Sequence, residues 1–357
     1  MKKSVLLIFG GCSTEYAVSC NGAASMMEHI DTEKYNLITV GITQEGEWLY
    51  TESTPEEIRD GKTWIKSDTN KSAYLLPDKV FGGLLVVEEN NLNKISVDCV
   101  FPLIHGENGE DGSLQGLFEL SGIPYVGSNV LSSACSLDKS VTRIFADSIN
   151  MKQVDCVIVN REDYDKDKEQ ILKTINTKLN KYPLFIKPAS SGSSIGVYKI
   201  NNSNEILEHL EAAFQYDDIV LVEEGIIGKE IKVALLENGE VEAGSICELI
   251  IKGDAFNDFE TKYKDQSAIK TIPANISPEL KEHIENQAIA IFKRLGCRAY
   301  ARVDFFLDNN NELYFNEINT IPGLAKESIF SVMLEDKGVP YSEIISKLIE
   351  SSDVKGA

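Results

Sequence analysis

Two short stretches, Arg302-Val303-Asp304-Phe305 and Glu317-Ile318-Asn319-Thr320, place charged and amide side chains inside otherwise apolar sequence. Charged and apolar residues alternate in the first stretch, which predicts a strand with one charged and one apolar face. A run of asparagines then provides a turn, and a second apolar stretch predicts the returning strand of a hairpin. We therefore expect Asp304, Glu317 and Asn319 to lie close together on adjacent strands.

The side chains that this hairpin gathers suit a phosphate-handling site. Asp304, Glu317 and Asn319 offer oxygen ligands, which Mg²⁺ prefers when substrate phosphates complete its coordination. Arg302 beside them suits phosphate oxygens or a developing oxyanion. A lone Arg-x-Asp pair is more often part of a surface ladder of ion pairs. The asparagine between apolar residues and the turn Thr320-Ile321-Pro322-Gly323 favour the functional interpretation.

Length, charge and cysteine content narrow the class of protein. A chain of 357 residues is too long for one compact core and predicts two or three domains. Its formal net charge of −21 argues against a general binder of nucleic acid or of anionic membranes. Seven scattered cysteines without metal-type spacing fit reduced thiols in a cytoplasmic protein. No apolar run has membrane-spanning length, and the N-terminal one is too short for a signal peptide.

The order of predicted elements indicates a doubly wound α/β domain at the N-terminus. Residues 5–9 are predicted to form a buried parallel strand that leads into a helix over residues 18–27. Further strands are predicted over residues 35–42 and 97–102. Residues 50–95 are polar and irregular, and the pattern assigns them no structure.

Three segments are expected along the chain. Residues 1–127 form the N-terminal α/β substrate-binding domain. Residues 128–222 form a central portion, which begins with a helix that holds Asp138-Lys139. Residues 223–357 form a C-terminal portion with long strands, a loop and a helix over residues 278–295.

Two polar residues follow predicted parallel strands, where ligands collect in open α/β sheets. For Glu15 alone, the favoured interpretation is an acid at a helix start that interacts with the helix dipole. The alternative is that its carboxylate holds a substrate ammonium group. His105 opens a loop with three glycines, which can pass close to a ligand, although an ordinary loop histidine is the alternative.

Lys187 and the loop after it are a candidate phosphate-binding element. Lys187 ends an apolar strand, and the backbone N–H groups and hydroxyls that follow, including Ser193 and Ser194, can surround phosphate oxygens. The segment is not a Walker A loop, because its lysine precedes the glycines. A flexible surface loop is the alternative, which the flanking apolar strands disfavour.

Acidic residues end another predicted strand, over residues 220–224. An adenine could lie against this backbone, with Glu223, Glu224 or Glu230 accepting the ribose hydroxyls. The sequence alone does not decide between this interpretation and an ordinary strand end.

As a set, these motifs resemble the ATP-grasp ligases, and specifically the D-alanine–D-alanine ligase family with its vancomycin-resistance-type members. The similarity extends from residue 8 to residue 323. Any one motif is weak evidence for the resemblance, whereas five motifs in the family's order are strong evidence. They are His105-Gly106 with Gly109-Glu110-Asp111-Gly112, Asp138-Lys139, Lys187-Pro188 with Gly192-Ser193-Ser194, Arg302-Val303-Asp304, and Glu317-Ile318-Asn319-Thr320.

The resemblance implies an ATP-grasp fold and an ADP-forming reaction of peptidoglycan precursor synthesis. The carboxylate of a first D-alanine attacks the γ-phosphate of ATP and gives an acyl phosphate. The amine of a second D-amino acid then attacks the acyl carbon, and phosphate leaves. The implied cofactors are ATP and two Mg²⁺ or Mn²⁺ ions. The implied partners are these small molecules and a second copy of the chain in a homodimer, without nucleic acid or membrane.

The same resemblance gives each motif residue a role. The metal ligands are Asp304, Glu317 and Asn319. The nucleotide contacts are Lys139 and Lys187 at the α- and β-phosphates, Glu223 and Glu230 at adenine and ribose, Lys262 at the γ-phosphate, and further Ser193, Ser194, Glu224 and Asn316. The substrate and catalytic contacts are Glu15 with Ser193 and Tyr263 at the first ammonium, Arg302 with the Gly323 N–H at the oxyanion, and His105, Ser328 and Ile329. Residues 259–263 resemble the mobile loop that closes over the site and excludes water from the acyl phosphate.

The second substrate is the least determined part of this interpretation. Relatives usually have a Thr-Ser-His-Ser-like run after Gly323, whereas here only Ser328 matches it. Ile329 stands where D-serine-using members often have arginine, which favours D-alanine, although D-serine stays the alternative. The pair Lys262-Tyr263 favours an amine nucleophile over D-lactate.

Two other functions are alternatives. A related ATP-grasp enzyme could join different carboxylates and amines, but His105 together with the set Glu15, Ser193 and Tyr263 argues against it. A non-catalytic nucleotide sensor would be expected to lack metal ligands, and all three are present.

Overall fold

The computed structural model describes residues 2–88, 91–251 and 268–353, which form three sheets in succession along the chain. The sheets have seven, four and six strands, and helices lie between them, so the predicted α/β class is confirmed. The predicted domain limit at residue 222 falls within the last strand of the second sheet, and the third sheet begins at Gly228. The domain limits themselves stay predictions.

The first sheet has a parallel centre and an antiparallel extension. β1 (Lys3–Gly10) lies between β2 (Tyr35–Ile42) and β7 (Cys99–Leu103) and is parallel to both. The sequences of β1 and β7 are almost entirely apolar because helices and the third sheet cover this part of the sheet. Beyond β2 the order is β3 (Trp48–Tyr50), β4 (Lys71–Leu75), β5 (Gly83–Glu88) and β6 (Asn91–Ser96). The helices of this part are α1 (Tyr16–His29), α2 (Pro55–Arg59) and α3 (Ser113–Ser121).

The antiparallel extension occupies most of the segment to which the sequence pattern assigns no structure. Its outer strand β6 is largely exposed, so it lacks the apolar alternation that identifies a strand. The segment is nevertheless anchored by Trp64, which is fully buried 5.0 Å from the ring of Phe9. The Trp64 ring occupies the space in which a side chain at Gly41 would lie, so this glycine permits the packing.

The second sheet is antiparallel, in the order β10-β9-β11-β8. Its strands are β8 (Cys156–Asn160), β9 (Leu184–Pro188), β10 (Tyr198–Ile200) and β11 (Ile219–Glu224). The helices of this part are α4 (Val130–Leu137), α5 (Lys139–Asp147), α6 (Arg161–Lys166), α7 (Lys168–Lys178) and α8 (Ile206–Ala213).

The prediction that a single helix holds Asp138-Lys139 is wrong, because α4 ends and α5 begins at this point. Asp138 has extended backbone and is the N-cap of α5, where its carboxylate accepts hydrogen bonds from the N–H groups of Ser140 and Val141. Aspartate is among the preferred N-cap residues, since its side chain satisfies N–H groups that the helix leaves unpaired. Lys139 therefore stands at the first position of a helix.

The third sheet is built around β12 (Gly228–Asn238), in the order β15-β14-β12-β16-β17, with β13 (Glu240–Ala243) also paired to β12. The other strands are β14 (Cys247–Ile251), β15 (Ala268–Thr271), β16 (Tyr300–Asp308) and β17 (Leu313–Asn319). The helix α9 (Pro278–Leu295) has the predicted limits, and α10 (Ile329–Asp336) and α11 (Tyr341–Ser351) follow.

The predicted hairpin is confirmed as β16 and β17. Asp304 lies opposite Glu317, and Arg302 lies opposite Asn319. Val303 and Phe305 point to the other face, into the core shared with α9. Among the described residues, no helix is long and apolar enough to cross a membrane.

Candidate active site

A cavity of about 480 Å³ lies where the three sheets meet. Its wall includes Glu15 and His105 from the first part of the chain, Lys139 and Ser193 from the second, and Arg302 from the third. The volume is in the range of small-molecule sites. Because each part contributes chemically active side chains, the cavity is the natural candidate for the site that the sequence predicts.

The structure brings most of the predicted site residues to this cavity. Those in its wall are Glu15, His105, Lys139, Ser193, Arg302, Glu317, Asn319, Gly323, Ser328 and Ile329. Those outside the wall are Lys187, Ser194, Glu223, Glu224, Glu230, Asp304 and Asn316. Lys262 and Tyr263, with the expected mobile loop over residues 259–263, lie outside the described residues.

Glu15 connects the first part of the chain to the loop after Lys187. It stands immediately before α1, and its Oε1 accepts a hydrogen bond of 2.5 Å from the Ser193 hydroxyl. Gly192 approaches so closely that a Cβ there would lie 3.2 Å from Glu15 Oε2. Glu15 makes no side-chain cap bond to its own helix, so its carboxylate is directed at this loop.

The loop itself has an unusual backbone. Ser193 and Ser194 have φ values of 51° and 59°, in the left-handed region that non-glycine residues rarely adopt. Such conformations cost free energy and are concentrated at ligand-binding positions. In this conformation the Ser193 hydroxyl donates its hydrogen bond to Glu15.

His105 and Glu110 together hold the backbone of Ile321, two residues before Gly323. His105 Nδ1 lies 2.8 Å from the Ile321 carbonyl oxygen, and Glu110 Oε1 accepts the Ile321 N–H at 3.1 Å. Glu110 Oε2 accepts the N–H of Gly106, so one carboxyl ties two loops together. His105 Nε2 is buried without a partner among the described residues, which suits a polar ligand in the cavity.

Burial changes the ionisation of both side chains. Burial lowers the pKa of His105, so the neutral ring predominates at neutral pH. Burial, reinforced by the Glu15 carboxylate, raises the pKa of Glu110 to about 7. Glu110 lies within a family motif, but the sequence does not indicate its role, because its partners are backbone atoms 4 and 211 residues away.

The predicted phosphate-binding lysines are held by acids and carbonyls. Lys139 Nζ donates to the Ser191 carbonyl at 2.9 Å and lies 3.4 Å from Glu317. Lys187 Nζ lies 2.6 Å from Glu223 and 3.3 Å from Asn316 Oδ1. Asn316 and Lys187, both predicted nucleotide contacts, are therefore hydrogen-bonded to each other.

The acids expected at adenine and ribose also have protein partners. Glu223 is buried, and besides Lys187 it pairs with Arg143 at 3.1 Å. Glu224 lies 3.9 Å from Lys181, and Glu230 lies 3.4 Å from Lys232. All three acids are therefore paired with cations; Glu223 is buried among its partners, whereas the Lys181 partner of Glu224 is largely exposed.

The predicted metal ligands lie side by side, and their chemistry fits a divalent cation. The Glu317 carboxylate opposes the ionisation of Asp304 across the hairpin, and a cation between them would offset that repulsion. Asn319 Nδ2, an amide donor that does not itself bind a cation, is buried without a hydrogen-bond partner among the described residues, which suits a phosphate or water oxygen beside the metal. Although burial opposes its ionisation, Arg302 and Lys232 hold the pKa of Asp304 below its ordinary value.

Lys232 is a site residue that the sequence reasoning missed. It is buried at the centre of β12, lines the cavity, and lies 2.7 Å from Asp304 Oδ2. Burial alone would lower its pKa, but Asp304 and Glu230 raise it above the ordinary value, so Lys232 is charged. The signal in the sequence is a lysine that interrupts the apolar run of a predicted strand, directly between Ile231 and Val233.

Comparisons with known proteins match nearly the whole chain. Family models described as the D-ala D-ala ligase N-terminus and C-terminus match residues 4–128 and 145–350. D-alanine--D-alanine ligase B of Clostridium tetani is 42% identical, with 98% of this chain and 94% of that protein covered. The crystal structure of VanG D-Ala:D-Ser ligase from Enterococcus faecalis is similar with a TM-score of 0.88 and 37% identity, over 99% of this chain and 100% of that one. The D-alanine-D-alanine ligase from Coxiella burnetii gives a TM-score of 0.83 and 31% identity, over 98% and 94% of the two chains.

Proposed function

The chain belongs to the D-alanine–D-alanine ligase family, and from this premise we propose that its cavity joins D-alanine to a second D-alanine. It has the ATP-grasp fold and is an ATP-dependent, ADP-forming ligase of the D-alanyl–D-X type. The observation that carries the site assignment is the meeting of Glu15, Ser193 and Arg302 at one cavity, although they come from three parts of the chain.

In this proposal the first D-alanine binds with its ammonium group at Glu15. The Ser193 hydroxyl fixes the orientation of the Glu15 carboxylate, and neutral His105 contributes Nε2 as a further polar contact. The substrate carboxylate then points to the γ-phosphate of ATP and attacks it. Lys139 and Lys187 are the proposed partners of the α- and β-phosphates, since both ammonium groups lie beside the strained serine loop or the hairpin.

The second step takes place on the same cavity wall. The amine of the second amino acid attacks the acyl phosphate, and the tetrahedral intermediate expels phosphate. Arg302 and the Gly323 N–H stabilise the oxyanion, and His105 and Glu110 hold the backbone that leads to Gly323. Asp304, Glu317 and Asn319 would hold two Mg²⁺ or Mn²⁺ ions, which would offset charge on the transferring phosphoryl group.

We propose D-alanine as the second substrate, with D-serine as the alternative. Ser328 and Ile329 line the cavity at the start of α10, where the hydroxyl suits a carboxylate and the isoleucine a methyl group. If D-serine were bound here, its hydroxyl would be buried against hydrocarbon without a partner, which costs about 1–3 kcal/mol. The relative from Enterococcus faecalis is named a D-Ala:D-Ser ligase, and for this reason D-serine is included as the alternative second substrate.

The proposal extends to the cellular setting. A homodimer in the cytoplasm is proposed on the family resemblance. All seven cysteines lie in the described ranges and are free thiols, which supports a reducing compartment.

ADP release with Mg²⁺ or Mn²⁺ and D-alanine tests the reaction and its metal ligands together. Glu317→Gln removes the carboxylate that faces both Asp304 and Lys139, so we expect a loss of roughly a hundredfold or more in rate. Glu312→Gln is the matched control, because Glu312 precedes the same strand and pairs with Lys152 on the surface. Turnover in Glu317→Gln at the level of Glu312→Gln would contradict the assignment.

Mixed-substrate synthesis identifies the second substrate. The enzyme is given D-alanine with equal concentrations of D-serine and D-lactate at neutral pH, and products are separated by mass. We expect D-alanyl-D-alanine to predominate. Predominant D-alanyl-D-lactate would refute the amine preference, whereas an excess of D-alanyl-D-serine would reverse only the choice between the two amino acids.

A further inference from the structure

Lys232 is a buried cation to which the proposed reaction assigns no role. Antiparallel pairing places it opposite Cys247 on one side and opposite Asp304 on the other, and Asp304 in turn faces Glu317. Residues directly opposite in a sheet point to the same face, so the ammonium group lies in the row that carries Asp304 and Glu317, two of the predicted metal ligands. It contacts Asp304 Oδ2 at 2.7 Å and Glu230 Oε2 at 3.4 Å.

Arg302 binds the same carboxylate from the next row. Its Nε donates to Asp304 Oδ1 at 2.7 Å and its terminal nitrogen donates to Oδ2 at 2.9 Å. Both oxygens of Asp304 therefore already accept bonds from positively charged donors. A divalent cation that uses Asp304 must displace one of these donors or share an oxygen with it.

We propose that Lys232 is the internal counter-ion of Asp304 and makes metal binding depend on the nucleotide. The proposal rests on the proposed function, because it takes Asp304 as a metal ligand. Without nucleotide, the ammonium balances the buried carboxylate and repels a second cation at short range, where solvent screens little. Nucleotide phosphates supply new anionic partners, so Asp304 becomes available to a metal that arrives with them. Lys232 is thus a positioning residue that acts through Asp304.

A purely structural lysine would behave differently. If Lys232 only stabilised the fold and the metal did not use Asp304, removal of Lys232 would lower the melting temperature and would leave metal affinity unchanged. A counter-ion competes with the metal, so its removal must strengthen metal binding. The two roles therefore give different results in a binding measurement that needs no turnover.

The experiment titrates Mn²⁺ into the full-length protein and measures free Mn²⁺ by electron paramagnetic resonance, with and without ADP. Lys232→Met removes the charge and the donor, and Lys232→Gln removes the charge but keeps a donor for Asp304. We expect both variants to bind Mn²⁺ without nucleotide at least about tenfold more tightly than the wild type, and the difference to shrink with ADP. Lys229→Met is the control, since Lys229 lies on the same strand but pairs with Glu248, and it should bind Mn²⁺ like the wild type.

The outcomes separate this inference from the function on which it rests. If the wild type binds no Mn²⁺ even with ADP, the protein has no such metal site, and both the proposed metal ligands and the counter-ion role are overturned. A wild type that binds Mn²⁺ with ADP, beside folded Lys232 variants that bind it equally or more weakly without nucleotide, would overturn the counter-ion role alone. If Lys232→Met fails to fold, Lys232→Gln carries the same expectation, and melting curves establish that each variant compared is folded.

Discussion

Glu15 illustrates how the role of one residue depends on its surroundings. A glutamate before a helix is ordinarily explained by the helix dipole, and the residue alone favours that interpretation. In the structure its carboxylate makes no cap bond and instead contacts Ser193, 178 residues away. The long-range contact, and not the helix start, accounts for the position of this acid.

Glu15→Gln should weaken D-alanine binding and leave the nucleotide unaffected. The substitution keeps the shape and an acceptor for Ser193 but removes the charge that attracts an ammonium group. Loss of a charge-assisted contact costs about 1.5–3 kcal/mol, so the apparent KM for D-alanine should rise by roughly tenfold or more. Calorimetry with a non-hydrolysable ATP analogue should give an affinity close to the wild type. Lost nucleotide affinity with an unchanged KM for D-alanine would mean that the role is misassigned.

Glu110 should make stability depend on pH. Because burial raises its pKa to about 7, the folded protein keeps a proton that the unfolded chain loses from about pH 4.5 upward. The free energy of unfolding contributed by this group is therefore complete below about pH 4.5 and declines as pH rises to about 7. The decline amounts to about 3 kcal/mol, since one pKa unit corresponds to about 1.4 kcal/mol.

Urea unfolding of the wild type and Glu110→Gln across about pH 4.5 to 7.5 measures this contribution. The substituted glutamine does not titrate and accepts only one of the two N–H bonds, so the variant should be less stable at low pH and approach the wild type as pH rises. Glu107→Gln, on the same loop but exposed, should follow the wild-type profile. A constant difference between wild type and Glu110→Gln at every pH would contradict the raised pKa.

At the scale of elements, the sequence predicts best where local pattern and tertiary packing agree. The hairpin of β16 and β17 has alternating residues, a polar turn and one buried face, and its predicted pairing is confirmed. Helix α9 has a Ser277 cap, a proline at its start and Gly296 after its end, and these signals define its limits. Both elements are therefore determined by residues within or beside them.

The sequence predicts poorly where an element is determined by distant partners. β6 is exposed and polar, and it is a strand because β5 pairs with it along its length. Residues 130–147 have helical pattern on both sides of Asp138, so the pattern predicts one helix where capping makes two. The role of Lys232 is hidden because its partner Asp304 lies 72 residues further along the chain.

The cap of α5 should couple stability to nucleotide binding. Asp138→Ala removes the acceptor for two backbone N–H groups, and loss of such a cap costs about 1 kcal/mol. The adjacent Lys139 would then be held less firmly, so the KM for ATP should rise more than the KM for D-alanine. Asn129→Ala, at the cap of the preceding helix, is the control that should lower stability without this selective effect. Equal changes in both KM values would mean that the cap does not position Lys139 for binding ATP.

For the whole molecule, charge is distributed unevenly. The chain has a net charge of −21, yet the wall of one cavity contains four cations beside four acids. The cations are Lys139, Lys232, Lys270 and Arg302, and the acids are Glu15, Glu110, Glu317 and Glu327. Net charge argues against nucleic acid as a general partner, but it does not reveal that cations and acids are equally numerous here. Only the packing of three sheets brings these residues together, so residue patterns identify the individual motifs, whereas their common wall is expected only from the family resemblance.

Ligand binding should therefore stabilise all three parts of the molecule at once. A non-hydrolysable ATP analogue with Mg²⁺ and D-alanine needs contacts from each sheet, so it binds only when all three are folded. At a concentration about one hundred times the dissociation constant, such a ligand adds about 2.7 kcal/mol to the free energy of unfolding. Scanning calorimetry should show the entire unfolding endotherm move to higher temperature, and L-alanine in place of D-alanine should give a smaller shift. If one part of the endotherm moved while another stayed at its ligand-free temperature, the site would belong to fewer parts of the chain than the cavity wall indicates.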